Sequence, residues 1–305
     1  MKKGVLLLTH GTVDSLAELP SFLTKIRRGH APPPNLVDDV RRRYEAIGGR
    51  SPLHEITARL AERVATKLEL PTRFAARFSE PSVDGALAAL LTEGVTRVAL
   101  VPLAQFSSAI YCGHAVERAA ELGVRGVEFV PVANWGAHDR LHDAFVRRGR
   151  AALASIGGAA RTARLLVTAH ALPVRVIRGG DPYEREFRAA AERYICALAA
   201  DVGSSRIAFQ SQGQSAAADG RPVDWLGPDL ASVIGEARAG GITKLVVAPI
   251  GFLADHVEIL YDIDIEAARL AREGGMNLVR TASLNDDDDF VDLVAELARN
   301  ALGDA

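Results

Sequence analysis

Three carboxylates recur at four-residue intervals after the apolar run Leu245–Pro249, at Glu258, Asp262 and Glu266. An α-helix turns by about 100° per residue, so this spacing places all three on one narrow face. A wider π-type turn would align them better, and such turns favour functional sites. A solvated acidic face is the usual explanation for such a stripe. Because this stripe begins at the end of a predicted strand, we favour a site that attracts a divalent cation or transfers protons.

A histidine stands at a second strand end. His170 directly follows the apolar run Arg164–Ala169. Imidazole is the side chain whose unperturbed pKa suits proton exchange near neutrality. The turn Arg178–Tyr183 enters a helix downstream, and Asp181 is predicted to cap that helix. The turn would also brace the loop that begins at His170, called the histidine loop below. We therefore predict that His170 takes part in catalysis.

An internal repeat relates two parts of the chain. Gly94–Leu103 and Gly241–Ile250 share one pattern of glycine, threonine, base, apolar residues and proline. The strand before His10 resembles the strand before His170 in the same way. Ligands of parallel α/β sheets bind outside the carboxyl ends of the strands. Both histidines and the segment after Pro249 are therefore expected to line one cleft between two similar halves.

Apolar runs of strand length alternate with longer amphipathic segments, which predicts an α/β fold. The predicted strands are Gly4–Thr9, Val98–Pro102, Gly126–Pro131, Arg164–Ala169, Arg206–Gln210 and Leu245–Pro249. The predicted helices are 55–67, 83–93, 112–122, 138–155, 184–201, 228–240, 258–273 and 288–302. We predict two Rossmann-like halves, residues 1–150 and 151–305, each a parallel sheet flanked by helices. The second half would carry His170 and the acidic helix.

Composition excludes several classes of protein. A net charge of −2 gives no basic surface for nucleic acid. Two cysteines are too few for a disulfide framework or a four-cysteine iron–sulfur cluster, and they favour the reducing cytoplasm. No apolar run approaches the roughly 20 residues of a membrane span, so peripheral contact is the most we expect. The lack of an obvious apolar patch predicts a monomer.

Four motifs in this order resemble those of the ferrochelatase family, in its compact bacterial form. The motif segments here are Arg41–Leu53 (Arg-Tyr-x-x-Ile-Gly-Gly-x-Ser-Pro), Thr168–Tyr183 (the histidine motif with Gly-Asp-Pro-Tyr), Phe209–Leu230 (Gln-Ser and Trp-Leu-Gly-Pro) and Pro249–Glu266 (Asp-His-x-Glu-x-Leu-Tyr). The resemblance spans nearly the whole chain. It implies an enzyme of haem biosynthesis, a lyase that inserts Fe²⁺ into a porphyrin and releases two protons.

The resemblance also implies residue roles. His170 matches the active-site histidine, Glu258 its facing carboxylate, and Asp262 and Glu266 the acidic positions of a π-distorted helix. These four would handle metal or protons, and His170 could be first a base or first a metal ligand. Porphyrin contacts are expected from Arg27, Arg43, Tyr44 and Ser51. Trp225 is expected to contact the porphyrin as well, because a flat indole ring can line a flat aromatic ligand.

The sequence departs from the family pattern in places. His10 stands where other members have Tyr or Met beneath the macrocycle, so it could contact porphyrin and bind the iron of the haem product. The loop Gln214–Asp224 is long and rich in Ala and Gly. The segment Lys25–Pro34 is polar. Arg27, Arg28 and Arg43 favour a porphyrin with four carboxylates, such as coproporphyrin III, and protoporphyrin IX stays open as the alternative substrate.

Two other functions compete with iron insertion. A cobalt or nickel chelatase acting on a sirohydrochlorin-type ring would share the duplicated fold and a His-Gly after the first strand, as at His10-Gly11. A non-catalytic tetrapyrrole carrier would keep an aromatic cleft but would have no need of the acidic stripe. Ferrous iron is expected as a substrate, and no prosthetic group is predicted.

Overall fold

The computed structural model describes residues 1–213 and 222–304, and within them the chain forms two four-stranded parallel sheets. Residues 214–221, most of the predicted long loop, lie outside the described residues. The first sheet has the order β2-β1-β3-β4 and the second the order β6-β5-β7-β8. The strands are β1 (Lys3–Thr9), β2 (Thr72–Ala76), β3 (Arg97–Pro102), β4 (Glu128–Pro131), β5 (Arg164–His170), β6 (Ser204–Gln210), β7 (Lys244–Ala248) and β8 (Asn277–Arg280). The shared order agrees with the internal repeat and confirms the predicted fold class.

Helices follow almost every strand. They are α1 (Leu19–Ile26), α2 (Pro34–Ala46), α3 (Leu53–Leu68), α4 (Val83–Thr92), α5 (Ser108–Glu121), α6 (Asp139–Ser155), α7 (Val174–Arg178), α8 (Tyr183–Leu198), α9 (Leu230–Ala239), α10 (Val257–Leu260), α11 (Ala268–Glu273) and α12 (Asp288–Leu302). A π-helix occupies Asp262–Ala267, and short 3₁₀ turns occupy Leu16–Glu18 and Gly157–Thr162. Among residues 1–213 and 222–304, no helix combines the length and apolarity needed to cross a bilayer.

Packing divides the chain into two compact units. Unit 1 comprises Met1–Trp135, Ala254–Val257 and Asn285–Ala305, and unit 2 comprises Gly136–Leu253 and Glu258–Leu284. The units follow packing rather than chain order, since the C-terminal helix α12 packs on α3 and β3 of unit 1. The predicted halves, residues 1–150 and 151–305, come from the sequence repeat rather than from packing, and this division of the chain stays a prediction.

The sheet of unit 1 is buried because its strands are apolar on both faces. Leu6 and Leu8 of β1 and Val98 and Leu100 of β3 pack with α4 and α5 in one core, all of them at most 2% exposed. Helices α3 and α12 pack near the sheet as well. Continuous apolar runs of this kind are what a parallel sheet requires when helices cover it.

Unit 2 repeats this arrangement around β5–β8. Its core joins Leu166, Leu245 and Val247 to the apolar face of α9 and to Ile259 and Ile263 of the acidic segment. Ile259 and Ile263 are fully buried. Because Ile259 and Ile263 are four residues apart, they lie on one face of the helix, and that face is turned to the core.

The sequence did not predict β2, β8, α1, α2 or the short α7. The strands β2 and β8 lie at sheet edges, where β2 carries Arg73 and β8 carries Asn277 and Arg280, so neither reads as a buried run. Helix α2 buries only Tyr44 among its residues, so it has no apolar stripe at helical spacing from which it could be predicted. Tertiary contacts rather than local pattern determine these elements.

Candidate active site

His170 is the last residue of β5, where it pairs in register with Gln210 of β6. Its Nε2 atom lies 3.4 Å from Oε1 of Glu258. The two side chains keep 35% and 30% of their surface exposed, so the pair is half-buried yet accessible. The sequence-predicted partners therefore meet, with a nitrogen and an oxygen facing each other.

The orientation of the imidazole is fixed by its other nitrogen. Nδ1 of His170 lies within hydrogen-bond distance of the backbone oxygen of Ala171. A carbonyl can only accept, so Nδ1–H is the donor, and Nε2 is the atom that gains or loses a proton beside Glu258. Burial disfavours the charged ring, but the Glu258 carboxylate and the Ala171 carbonyl outweigh it and raise the pKa of His170 to about 9.

The histidine loop is braced from α8. The hydroxyl of Tyr183 donates to the backbone oxygen of His170 at 2.9 Å. The side chain of Asp181 accepts from the backbone N–H of Tyr183, also at 2.9 Å, and so caps the first turn of the helix. The brace predicted from the sequence is thus present, with Pro182 rather than Asp181 at the N-cap position itself.

Gln210 is a residue of this site whose role the sequence did not reveal. It is 3% exposed, and it accepts a hydrogen bond from Thr168 Oγ1 at 2.7 Å. Its amide nitrogen donates to the backbone oxygen of Glu258 at 3.1 Å. Gln210 therefore ties the end of β5 to the start of the acidic segment, which holds Glu258 against His170.

The acidic segment is helical with a π-turn, as the carboxylate spacing suggested. The backbone N–H of Glu266 donates to the oxygen of Tyr261, five residues back, at 2.9 Å. Asp262 is 8% exposed and accepts from the hydroxyl of Ser211, a residue held at a positive φ of 59°. Glu266 is exposed. The three carboxylates thus run from one that faces His170, through a buried one, to one in solvent.

Residues 1–213 and 222–304 contain no group of three His, Cys, Asp or Glu side chains arranged to hold a metal ion. Of the predicted metal residues in unit 2, His170, Glu258, Asp262 and Glu266, the first two are in contact. That pair supplies one nitrogen and one oxygen donor.

His10 follows β1 in unit 1 and is exposed. Its ring makes an edge contact with Phe78 at 4.8 Å between centroids and a longer one with Phe22 at 6.3 Å. Its Nδ1 lies 3.4 Å from the hydroxyl of Tyr111. The imidazole is therefore held by aromatic side chains while part of it remains accessible.

The predicted porphyrin residues fall into two groups. Tyr44 and Ser51 are buried, at 2% and 4% exposure, and Tyr44 hydrogen-bonds Thr12 at 2.7 Å between hydroxyl oxygens. Arg43 is partly exposed and pairs with Asp39 of the same helix at 3.0 Å, and Arg27, at the end of α1, is partly buried. In unit 2, Trp225 is partly buried, and its backbone forms an antiparallel bridge with Pro173, three residues after His170.

Comparison with known proteins identifies the family to which this chain is similar. The family model described as Ferrochelatase matches residues 2–302. A ferrochelatase of Herpetosiphon aurantiacus is 33% identical over 96% of this chain and 97% of its own. A coproporphyrin III ferrochelatase of Anoxybacillus flavithermus is 33% identical over 98% of this chain and 96% of its own. The structure of SirB from Bacillus subtilis with Fe³⁺ covers 99% of this chain and 98% of its own, with a TM-score of 0.59, and at 16% identity it shows a shared fold.

Proposed function

Because the chain belongs to the ferrochelatase family, and so inserts ferrous iron into a porphyrin in haem biosynthesis, we propose that His170 accepts the pyrrole protons and that the Glu258 carboxylate controls the pKa of His170. Ferrous iron and the porphyrin are the substrates, and haem and two protons are the products. The observation that carries this assignment is the 3.4 Å approach of Nε2 of His170 to Glu258, with Nδ1 already engaged by Ala171.

The pair must lose a proton before it can take one. With its pKa raised to about 9, His170 is an imidazolium at neutral pH, balanced by the Glu258 carboxylate. A cation that approaches Glu258 weakens this balance and releases the proton, as metal binding to protonated ligands generally does. The neutral Nε2 then accepts a proton from a pyrrole nitrogen.

The other two carboxylates give the released protons a route. Asp262 is buried and Glu266 is exposed, and they stand four and eight residues after Glu258 on the π-distorted helix. A gradient from buried to exposed carboxylates suits transfer to solvent. Ferrous iron, a divalent cation, is attracted along the same negative path.

We assign porphyrin contacts to residues of each unit taken by itself. Trp225, whose backbone pairs with Pro173, offers a flat aromatic surface, and exposed His10 offers an imidazole to the iron of the product. Tyr44 and Ser51 are buried, so they support the backbone that meets the porphyrin, while Arg27 and Arg43 meet its carboxylates.

Coproporphyrin III is the substrate that the charges favour. It carries four carboxylates, and Arg28 at the exposed end of α1 adds to Arg27 and Arg43 as partners for them. Relatives from Anoxybacillus flavithermus and Bacillus subtilis are described as coproporphyrin III ferrochelatases. We further propose a monomeric enzyme of the cytoplasm, where an exposed free thiol such as that of Cys196 stays reduced.

A metallation assay tests the proposal. The purified chain is mixed with coproporphyrin III or protoporphyrin IX under anaerobic conditions, and the Soret band is followed with Fe²⁺, Zn²⁺ or Co²⁺. We expect Fe²⁺ insertion with a higher kcat/KM for coproporphyrin III. Equal or better use of protoporphyrin IX contradicts the substrate assignment, and metallation of neither porphyrin contradicts the function.

A further inference from the structure

Three polar side chains of unit 1 that have no role so far form a continuous array. Nδ1 of His54 lies 3.0 and 3.1 Å from the two carboxylate oxygens of Asp14. Nε2 of the same ring lies 3.0 Å from Oγ of Ser79. Asp14 follows β1, His54 lies in the first turn of α3, and Ser79 follows β2, so the array links three separate elements.

The array ends on a buried backbone group. The N–H of Thr12 points at Nε2 of His54 at 3.3 Å and at Oγ of Ser79 at 3.2 Å. Thr12 is 2% exposed, so water cannot easily replace these acceptors, and a buried N–H without an acceptor is costly. Thr12 stands two residues after His10, and its hydroxyl is the partner of Tyr44.

The partners fix the state of His54. The Asp14 carboxylate only accepts, so Nδ1 carries the hydrogen and the single lone pair of Nε2 is left to accept from Ser79 O–H or Thr12 N–H, while Ser79 Oγ also accepts from Thr12 N–H. Asp14 is 65% exposed, whereas the imidazole is 10% exposed. The acceptor that Thr12 needs is therefore oriented by a carboxylate at the surface.

The order serine, histidine, aspartate also occurs in hydrolases that use a serine nucleophile. The packing around Ser79 argues against that use. Gly11 has a φ of +98°, and a Cβ placed on it would lie 2.4 Å from the Ser79 hydroxyl oxygen. The hydroxyl of Ser79 therefore lies against the backbone of Gly11 in the loop that follows β1 (the β1 loop), and that side has no space for an acyl group.

We propose that His54 is a positioning residue for porphyrin binding. Together with Asp14 and Ser79 it holds the backbone of Gly11 and Thr12, and thereby sets the direction of His10 and the place of Tyr44. This inference rests on the proposed function, since it assigns those residues to the porphyrin. It predicts an effect on porphyrin affinity rather than on the proton chemistry of His170.

Two substitutions at one position separate the two ends of the ring. In His54→Asn the amide stands where Nδ1 was, so the contact with Asp14 is kept, while Nε2 is lost both as an acceptor for Thr12 and as the partner that holds Ser79 Oγ. In His54→Gln the amide oxygen reaches the place of Nε2, so the acceptor is restored. A residue that merely fills space would be disturbed in both variants. Ser79→Ala, which removes a single hydroxyl, serves if His54→Asn does not fold.

The experiment measures porphyrin Kd by fluorescence quenching, KM and kcat by metallation, and exchange of the Thr12 amide by NMR. For His54→Asn we expect Kd and KM to rise about tenfold with kcat nearly unchanged, and the Thr12 amide to lose part of its protection, since Ser79 Oγ remains as an acceptor. His54→Gln should return all three towards wild type. Wild-type Kd and exchange in His54→Asn, or equal loss in both variants, overturns the inference. A wild-type chain that binds and metallates no porphyrin overturns the proposed function instead, while the Thr12 amide still reports on the array.

Discussion

His170 presents Nε2 to the Glu258 carboxylate at 3.4 Å, while its Nδ1 hydrogen is engaged by the Ala171 backbone. The geometry leaves one nitrogen for chemistry and gives it one carboxylate as a neighbour. Gln210 donates to the backbone oxygen of Glu258, and Tyr183 donates to the backbone oxygen of His170, so each partner is held by one further hydrogen bond. Most of the predictions below concern this pair.

The pair predicts the pH dependence of the enzyme. If neutral His170 is the base, kcat/KM for metal insertion should rise with pH through an apparent pKa near 9, the pKa of His170 in the free enzyme. Glu258→Gln removes the carboxylate, so burial then acts with less opposition and the pKa of His170 should fall. NMR titration of the imidazole in both proteins measures this. An unchanged pKa in Glu258→Gln would refute the coupling.

The same shift affects stability. A histidine whose folded pKa is raised stabilises the fold fully below its unfolded pKa of about 6.5, and this contribution is lost as pH rises through about 9. Because about a third of each side chain is exposed, we expect a difference of about 1 kcal/mol between wild type and Glu258→Gln at pH 6. Urea denaturation at pH 6 and pH 9.5 checks it. A difference that does not shrink at the higher pH argues against an ion pair.

The acidic helix predicts unequal roles for its carboxylates. Asp262 is buried and bonded to Ser211, whereas Glu266 is exposed. Glu258→Gln should lose most activity, on the order of 10²-fold, Asp262→Asn about tenfold, and Glu266→Gln less. Asp264→Asn, which lies on the same helix but pairs with Arg280 at 2.7 Å, is the matched control. Activity in Asp262→Asn equal to that control would reject the proton route.

His10 predicts a property of the product complex. Neutral imidazole is a good iron ligand, so His10 should bind the iron of haem axially and slow product release. Metal-free porphyrin has no axial site, so the substrate gains nothing from this contact. Haem spectra of wild type and His10→Ala test the assignment. Identical Soret and charge-transfer bands with equal haem affinity would rule out axial ligation.

A packing fault in unit 2 predicts a stabilising substitution. The hydroxyl of Tyr194 is buried and has no hydrogen-bond partner within the part of the chain that the structure describes. Tyr194→Phe should therefore raise the free energy of unfolding by about 1 kcal/mol. Gly149→Ala should lower it, because the added Cβ would lie 2.2 Å from that hydroxyl, and Tyr194→Phe should relieve part of the loss. Denaturation of the four proteins measures the coupling, and a destabilised Tyr194→Phe would mean that the hydroxyl is satisfied.

Local pattern was sufficient for the central strands and for the acidic helix. Strands β1, β3, β5 and β7 are continuous apolar runs because both faces are covered. The carboxylate spacing predicted a helix, and the family resemblance implied its π-distortion, which lies at Asp262–Ala267. The edge strands β4 and β6 were predicted although each carries a charge, whereas β2 and β8 are recognised only by their pairing with β1 and β7, which are distant in sequence.

The site divides in the same way. His170 and Glu258 could be named because each follows a predicted strand and matches a motif. Gln210 and Ser211 act through contacts with residues 48 and 51 positions away, and no local pattern encodes those contacts. The burial of Tyr44 and Ser51 likewise depends on how α1, α2 and the β1 loop pack, which motif matching does not report.

The central claim is that His170 handles protons or metal rather than the porphyrin surface. Single-turnover Fe²⁺ insertion and porphyrin binding, measured side by side for wild type and His170→Ala, test it most directly. We predict that His170→Ala binds the porphyrin with a Kd close to that of wild type and inserts iron at least about 10²-fold more slowly. Iron insertion at the wild-type rate in His170→Ala would contradict the account.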